Sequence, residues 1–336
     1  MDLHKLAKIE PKFVSGHRLC SGCGAGIVVN QAMLAAGLEN IVVINATGCL
    51  EVTTTIYPQT AWNVPWIHCA LENAASTAAG VETAYKALKK KGRLPGQKGD
   101  LSLSATPRDD PGGVKFIVFA GDGGTYDIGL QALSGMLERG HNVLYICYNN
   151  EAYMNTGYQR SGATPLHAET TTRPWGRDTH GNPTRRKNLT KIVEAHKVPF
   201  VAQAATAFHL DFMQKVKLGL ATEGPAFIDV LSTCRLGWGH PSNMAYELSR
   251  LAVETCYWPI YEIRNGRFRL NYRPKNPKPL EDFLRYQKRF EHLLLPENKD
   301  DLEELKREVS QEWEELIKRE DCDRVCLRAS KTNHHA

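Results

Sequence analysis

Short apolar runs alternate along the chain with segments in which apolar residues recur every three or four positions. Five runs, rich in β-branched and aromatic residues, have the length and continuous apolar character of strands covered on both faces. Because strands that alternate with helices form parallel sheets with right-handed crossovers, we predict a doubly wound, mostly parallel α/β sheet. The predicted strands are residues 41–45, 114–120, 143–148, 199–204 and 226–231, and the predicted helices are residues 26–36, 73–90, 128–139, 189–196 and 208–220.

The pattern changes near residue 256. Residues 259–279 contain four prolines and many arginines, which predicts an extended surface segment that contributes nothing to a core. Residues 300–319 predict an amphipathic helix whose apolar stripe packs on its own domain or wraps a neighbouring subunit. We therefore expect an α/β domain at 1–255 and a C-terminal extended and helical arm at 256–336. The stripe consists of Leu302, Leu305, Val309, Trp313, Leu316 and Ile317.

Composition narrows the class of protein. The chain has 336 residues, of which 42% are apolar and 24% charged, and this excludes collagen-like, low-complexity and largely disordered chains. No apolar run reaches the roughly 18 residues of a membrane-spanning helix, and the N-terminus lacks the apolar block of a secretory signal. The net charge of +5 is too weak and diffuse to indicate nucleic-acid binding. We expect a cytoplasmic globular protein that binds neither membranes nor nucleic acid.

Polar segments directly follow four of the predicted strands. Ligands of open α/β sheets bind at the carboxyl ends of strands, so we expect these segments to meet in space. Convergence of distant segments is therefore the main prediction for the functional site. The four segments are residues 46–49, 121–124, 149–152 and 232–234.

The segment 121–124 has the sequence Gly-Asp-Gly-Gly. Glycines there let backbone N–H groups approach a phosphate at a helix N-terminus, and Asp122 can hold a divalent cation that neutralises it. Asn150, at the end of the next predicted strand, can add a neutral oxygen to the same Mg²⁺. This spacing is that of the thiamine diphosphate motif, and the alternative is a tight turn without a ligand.

Cysteines give an independent signal. The chain has nine, and without an export signal they are expected to be reduced thiols or metal ligands. Cys20 and Cys23 form a CxxC pair, whereas Cys49 and Cys234 each follow a predicted strand. Four thiolates that reach one point suit zinc or an iron–sulfur cluster, and a CxxC alone is also compatible with a redox pair. We expect packing or no special role for Cys69, Cys147, Cys256, Cys322 and Cys326.

Four segments together resemble the β subunit of pyruvate:ferredoxin oxidoreductase, a 2-oxoacid:ferredoxin oxidoreductase. The resemblance covers roughly residues 16–238 and fades in the arm. The segments that carry it are GHRLCSGCG at 16–24, GCLE at 48–51 with TTTIYP at 53–58, GDGGTYDIG at 121–129, and YNNEAYMNTG at 148–157.

The resemblance implies a set of site residues. A proximal 4Fe-4S cluster would be ligated by Cys20, Cys23, Cys49 and Cys234, although Cys234 lacks the preceding proline expected in the family. Mg²⁺ would be held by Asp122, Asn150 and the carbonyl of Ala152. The catalytic residues would be Cys49, beside both cofactors, and Asn155, hydrogen bonding the substrate unless it only forms a turn. Thiamine diphosphate would contact Gly48, Cys49, Gly121, Asp122, Gly123, Gly124, Asn150, Tyr153, Asn155 and Thr156.

The resemblance also implies an activity: oxidative decarboxylation of pyruvate with coenzyme A to acetyl-CoA and CO₂, with electrons leaving through the cluster to ferredoxin. In this family an α subunit supplies the glutamate that activates thiamine, so the chain should need α, γ and ferredoxin-like δ subunits. The alternatives are the same chemistry on 2-oxoisovalerate, 2-oxoglutarate, indolepyruvate or oxalate, or a non-catalytic scaffold stapled by zinc.

Overall fold

An eight-stranded sheet forms the centre of the computed structural model, which describes residues 8–94, 113–174 and 181–332, with side chains to residue 323. Its strand order is β2-β1-β3-β4-β6-β5-β7-β8. The first six strands of this order run parallel, and β7 and β8 are antiparallel. The strands are β1 (Asn40–Ala46), β2 (Trp66–Cys69), β3 (Val114–Gly121), β4 (Val143–Asn149), β5 (Phe200–Ala205), β6 (Ala226–Leu231), β7 (Tyr261–Arg264) and β8 (Arg267–Leu270).

Helices cover both faces of the sheet. All five predicted strands and all five predicted helices are confirmed, with ends that shift by one or two residues. Among the described helices, none has the length and apolarity needed to cross a bilayer. The α-helices are α1 (Gly24–Ala36), α2 (Cys49–Thr54), α3 (Ala74–Lys90), α4 (Leu130–Glu138), α5 (Leu189–Ala195), α6 (His209–Ala221), α7 (Arg235–Trp238), α8 (Ala245–Glu254), α9 (Leu280–Leu284) and α10 (Lys299–Thr332).

The core lies in two layers, one on each face of the sheet. Alternate residues of β3 show why the strand is apolar throughout. Ile117 and Phe119 join the layer beneath α1 and α6, whereas Phe116 and Val118 join the layer beneath α3 and α4. A parallel strand that is covered on both faces has no polar side, which is the pattern seen in the sequence.

The prediction for residues 259–279 is wrong in one respect. β7 and β8 form a hairpin that extends the sheet, with β7 pairing to β5. Asn265 and Gly266 both have positive φ, of 47° and 77°, as a two-residue hairpin turn requires. The four buried apolar side chains of the hairpin, each no more than 8% exposed, are Tyr261, Ile263, Phe268 and Leu270.

The apolar stripe of α10 packs on the chain's own domain. Leu305 and Leu316 are buried against the two core regions that flank the helix. The described residues of the stripe therefore pack within this chain, and packing of the arm on a partner subunit stays a prediction. The division at residue 256 stays a prediction, although the sheet itself continues into the arm. Cys322 is exposed, and the side chain of Cys326 lies outside the described residues.

Helix α10 also covers the open edge of the sheet. The backbone N–H groups of Phe268 and Leu270 on the edge strand β8 donate to Asp323 Oδ2 and Glu320 Oε1, at 2.8 and 3.1 Å. Uncovered N–H groups on an edge strand are a template for intermolecular pairing. The two carboxylates therefore protect the sheet from association through this edge.

We expect the double substitution Glu320→Ala and Asp323→Ala to destabilise the protein by about 1–3 kcal/mol, because two strand donors lose their partners. It should also increase light scattering on heating. The matched control is Asp321→Ala, an exposed aspartate on the same helix. Equal unfolding temperatures and scattering in the double variant and the control would contradict this function of the carboxylates.

Candidate functional site

The carboxyl ends of β1, β3, β4 and β6 meet at one edge of the sheet, as the parallel pairing requires. One cavity opens there. Every residue predicted to contact thiamine diphosphate lines this cavity, and so does Ala152. The full lining is Thr47, Gly48, Cys49, Leu71, Gly121, Asp122, Gly123, Gly124, Tyr148, Asn150, Ala152, Tyr153, Met154, Asn155 and Thr156. The structure therefore brings these residues together, and their roles stay predictions.

The turn after β3 leaves no room for side chains at its two glycines, Gly123 and Gly124. It is a π-helical turn, Gly123–Ile128, inserted before α4. A Cβ atom on Gly123 would lie 2.4 Å from the ring of Tyr153, and one on Gly124 would lie 2.6 Å from the carbonyl oxygen of Leu71. Such close packing needs glycine, and it leaves the backbone of the turn open to the cavity.

We expect Gly123→Ala to lower thiamine diphosphate retention strongly, because the new methyl group displaces Tyr153 into the space of the ligand. Gly80→Ala is the matched control, since a Cβ there meets no atom within 4 Å. Bound thiamine can be measured by fluorescence after oxidation to thiochrome. Equal retention in both variants would show that the close approach at Gly123 is not needed.

Oxygen atoms from three residues converge beside this turn. One polar atom of the Asn150 side-chain amide lies 2.9 Å from the Ala152 carbonyl oxygen and 2.9 Å from Asp122 Oδ1. With the amide oxygen in that position, one carboxylate and two neutral oxygens face a common point. This donor set fits Mg²⁺, which prefers few carboxylates, neutral oxygens and phosphate.

Asp122 is buried and lacks a compensating charge in its immediate hydrogen bonds. Ser161 Oγ donates to Oδ2 at 2.5 Å, and the Asn150 backbone N–H donates to Oδ1 at 3.1 Å. Burial raises the pKa of Asp122 to about 8, against the opposing effect of these two neutral donors. A divalent cation would supply the positive charge that the buried carboxylate needs. Ser161 lies in the long segment after β4, where no sequence motif pointed to it.

The four predicted ligand cysteines also come together. The loop that carries Cys23 packs against the end of β6, because the Gly24 N–H donates to Thr233 O at 3.0 Å. Cys49 begins α2 and lines the cavity. Burial raises the pKa of Cys49 to about 12, and the neighbouring thiols of Cys234, Cys23 and Cys20 act in the same direction. Cys49 therefore both lines the cavity and belongs to the set of four neighbouring cysteines.

The sulfur atoms of these four cysteines do not form a preformed tetrahedral zinc site. Among the described residues, no three of the four Sγ atoms lie within 4.8 Å of one another. A tetrahedral zinc site with Zn–S bonds of about 2.3 Å places its sulfur atoms only about 3.8 Å apart.

Tyr148 lies between the oxygen donors around Asp122 and the four cysteines. A Cβ atom on Gly48 would lie 2.9 Å from Tyr148 Oη, and one on Gly121 would lie 3.4 Å from its ring. One aromatic ring thus separates the start of α2, with Cys49, from the turn that carries Asp122. No sequence motif singled out Tyr148, because it is one of several apolar residues near the end of β4.

Trp238, together with Arg289 from the arm, supports both the oxygen donors and the cysteines through a buried network. Trp238 Nε1 donates to the Asn150 carbonyl oxygen at 2.9 Å, while the Trp238 backbone N–H donates to Cys234 O, also at 2.9 Å. The Arg289 guanidinium lies 3.9 Å from the centre of the Trp238 ring and pairs with Glu151 at 2.5 Å. Sequence reasoning missed Trp238 and Arg289, because their contacts come from a segment far along the chain.

Asn155 and Thr156 lie at the exposed mouth of the cavity. Thr156 Oγ1 donates to Gln159 Oε1 at 2.5 Å, which closes a short turn. Asn155 remains open both to substrate binding and to a purely turn-forming role.

The sequence of this chain matches a known protein family and several named relatives. Residues 46–230 match the family model of the thiamine pyrophosphate enzyme, C-terminal TPP binding domain. Pyruvate synthase subunit PorB of Methanocaldococcus jannaschii is 51% identical over 84% of this chain and 90% of its own length. The PorB subunit of Thermotoga maritima is 49% identical over 92% of each chain. Ketoisovalerate oxidoreductase subunit VorB of Pyrococcus abyssi is 41% identical over 92% of this chain and 93% of its own.

A solved structure shows the same fold. The 2-oxoglutarate:ferredoxin oxidoreductase of Magnetococcus marinus superposes with a TM-score of 0.53 at 21% identity, over 74% of this chain and 82% of that chain. The chain therefore belongs to the thiamine pyrophosphate enzymes and, among them, to the 2-oxoacid:ferredoxin oxidoreductase subunits represented by pyruvate synthase subunit PorB.

Proposed function

We propose that this chain is the thiamine- and cluster-binding β subunit of a pyruvate:ferredoxin oxidoreductase. The reaction converts pyruvate, coenzyme A and two oxidised ferredoxins to acetyl-CoA, CO₂, two reduced ferredoxins and a proton, and it is reversible. One observation supports this proposal most strongly: Cys49 belongs both to the cavity that carries the oxygen donors of Asp122 and Asn150 and to the group of four thiols.

Thiamine diphosphate, when bound, stabilises the carbanion that decarboxylation of a 2-oxoacid requires. The residues of this chain bind and orient it. Asp122, Asn150 and the Ala152 carbonyl would hold Mg²⁺ on the diphosphate, and the open backbone at Gly123 would donate to its oxygens. Asn155, at the mouth, would donate a hydrogen bond to the 2-oxo group of the substrate.

A 4Fe-4S cluster held by Cys20, Cys23, Cys49 and Cys234 would accept electrons one at a time. Burial raises the pKa values of the Cys23 and Cys234 thiols, so cluster binding must displace their protons. Thiolate ligands and a ferredoxin acceptor need a reducing compartment, which favours a cytoplasmic location.

Partner subunits would complete the site. None of the described residues that line the cavity is a glutamate. The carboxylate of Glu151 faces away, into hydrogen bonds with Arg289 and Tyr257. We therefore propose that an α subunit supplies the activating glutamate and that γ and ferredoxin-like δ subunits complete the complex. The chain on its own would be inactive.

Turnover by the assembled complex tests the proposal. Reduction of a viologen dye should require coenzyme A and should proceed with the highest kcat/KM on pyruvate. The similarity to a ketoisovalerate oxidoreductase subunit makes 2-oxoisovalerate the decisive competitor, with 2-oxoglutarate, indolepyruvate and oxalate as further substrates. An equal or higher kcat/KM with a branched 2-oxoacid would overturn the choice of pyruvate, and no turnover with any 2-oxoacid would overturn the enzyme itself.

A further inference from the structure

A second group of metal-ligating side chains lies outside the cavity, where the segment after β4 meets the start of α10. His167, Asp301 and Glu304 each offer a ligand atom, and all three atoms lie within 4.8 Å of one another. His167 Nε2 is 3.1 Å from Glu304 Oε2. We propose that these residues form a binding site for a divalent transition-metal ion of the zinc class, separate from the magnesium and cysteine sites.

The backbone holds His167 in place. The residue is 5% exposed and has φ of 61°, in the left-handed region that a non-glycine residue rarely adopts. Its N–H donates to Asn182 O at 2.8 Å. A Cβ atom on Gly181 would lie 2.2 Å from the His167 carbonyl oxygen, so the chain packs tightly against it. Such a conformation persists where the surrounding structure over-determines it, and it is frequent at functional sites.

The donor set selects the class of metal. Asp301 and Glu304 lie three positions apart on α10, where like charges repel each other, and a cation bound by both carboxylates would reduce this repulsion. An imidazole together with two carboxylates favours zinc and neighbouring transition metals over Mg²⁺ or Ca²⁺, which prefer oxygen ligands throughout. In a tetrahedral zinc site with bonds of about 2.1 Å, neighbouring ligand atoms lie about 3.4 Å apart, close to the observed separation of His167 and Glu304.

A second imidazole beside this group supports the proposal independently. Both ring nitrogens of His292 are buried and have no hydrogen-bond partner among the residues that the structure describes. The charges of Glu169, His167 and Asp301 act on the His292 ring, so the ring lies in the neighbourhood of two of the three ligands. Buried polar atoms are normally satisfied, and each exception needs an explanation. A metal ion and its bound water at this site would provide a partner for His292.

Occupation of the site would tie the arm to the cofactor region. His167 lies six residues after Ser161, which donates to the buried carboxylate of Asp122. Asp301 and Glu304 belong to the first two turns of α10. The metal would therefore fix the segment that supports Asp122 to the helix that covers the edge of the sheet.

Metal analysis of the assembled complex tests this site. After dialysis against a mild chelator and incubation with Zn²⁺, the wild-type protein should retain about one zinc per chain. Glu304→Gln and His167→Gln should lose it while iron and thiamine contents stay unchanged. Glu303→Gln is the matched control, because Glu303 neighbours Glu304, is 49% exposed and forms an ion pair with Lys306.

Two further measurements distinguish the possible binding sites of the zinc. Zinc bound by the four cysteines would be lost in Cys20→Ser and kept in Glu304→Gln. Zinc bound at the proposed site would instead be kept in Cys20→Ser and lost in Glu304→Gln. Zn²⁺ should also raise the unfolding temperature of the wild type and of Glu303→Gln but not of Glu304→Gln. If His167→Gln fails to fold, Glu304→Gln decides the test. Absence of zinc from the wild type, or equal zinc in Glu304→Gln and Glu303→Gln, would overturn the proposal.

Discussion

Asp122→Asn should abolish retention of thiamine diphosphate while leaving the iron content and the fold intact. The substitution removes the only carboxylate of the proposed magnesium site, and we expect an affinity loss of more than about 100-fold, the upper range for residues that merely support a metal ligand. Burial already disfavours the charge of Asp122, so a neutral amide in its place should not lower stability.

The combination of readouts separates binding from folding. Thiamine content, iron content and unfolding temperature are measured on the same preparation. Asp282→Asn serves as the control, because that carboxylate lies on the surface and pairs with Arg285. Retention of thiamine by Asp122→Asn would refute the magnesium site, and a large fall in unfolding temperature would indicate a structural role instead.

Arg289→Met should cause the largest loss of stability. Arg289 and Glu151 are both fully buried, and removing the guanidinium leaves a carboxylate in the interior with a weaker partner, Arg186, at 3.4 Å. Breaking a buried ion pair from one side costs about 3–5 kcal/mol. Because Arg289 also stacks on Trp238, which contacts both Asn150 and Cys234, thiamine and iron should be lost together.

A double-mutant cycle tests this explanation. Glu151→Gln combined with Arg289→Met removes both charges, so the pair should be more stable than Arg289→Met alone. Arg285→Met is the control, since its exposed pair with Asp282 should contribute no more than about 1 kcal/mol. An effect of Arg289→Met no larger than that of the control would contradict the supporting role of the buried network.

The sequence alone was sufficient to predict those parts of the fold in which the apolar pattern of a segment matches its burial. Continuous apolar runs such as residues 114–120 predicted the parallel strands, and the rule that ligands bind at strand ends brought Cys49 and Asp122 to one edge. The hairpin at 261–270 was missed because nearby prolines outweighed a clear signal: alternating side chains around Asn265 and Gly266.

Residues that support the site from a distance could not be predicted. Ser161, Trp238 and Arg289 reach the cofactor region only through tertiary contacts with Asp122, Asn150 and Glu151. No local spacing marks such residues, because their partners lie tens of residues away in sequence. Identifying them requires the packing of the arm and the long segment after β4 onto the sheet.

The central claim is that one edge of this sheet carries both the thiamine site and a cluster bound by four cysteines. Its most direct test is the iron and thiamine content of the anaerobically purified complex with Cys49→Ser, compared with Cys69→Ser, a cysteine at the end of β2 outside the group. We expect Cys49→Ser to lose about four iron atoms per chain and pyruvate-dependent dye reduction while it keeps thiamine, and Cys69→Ser to match the wild type. Full iron content in Cys49→Ser would contradict the account.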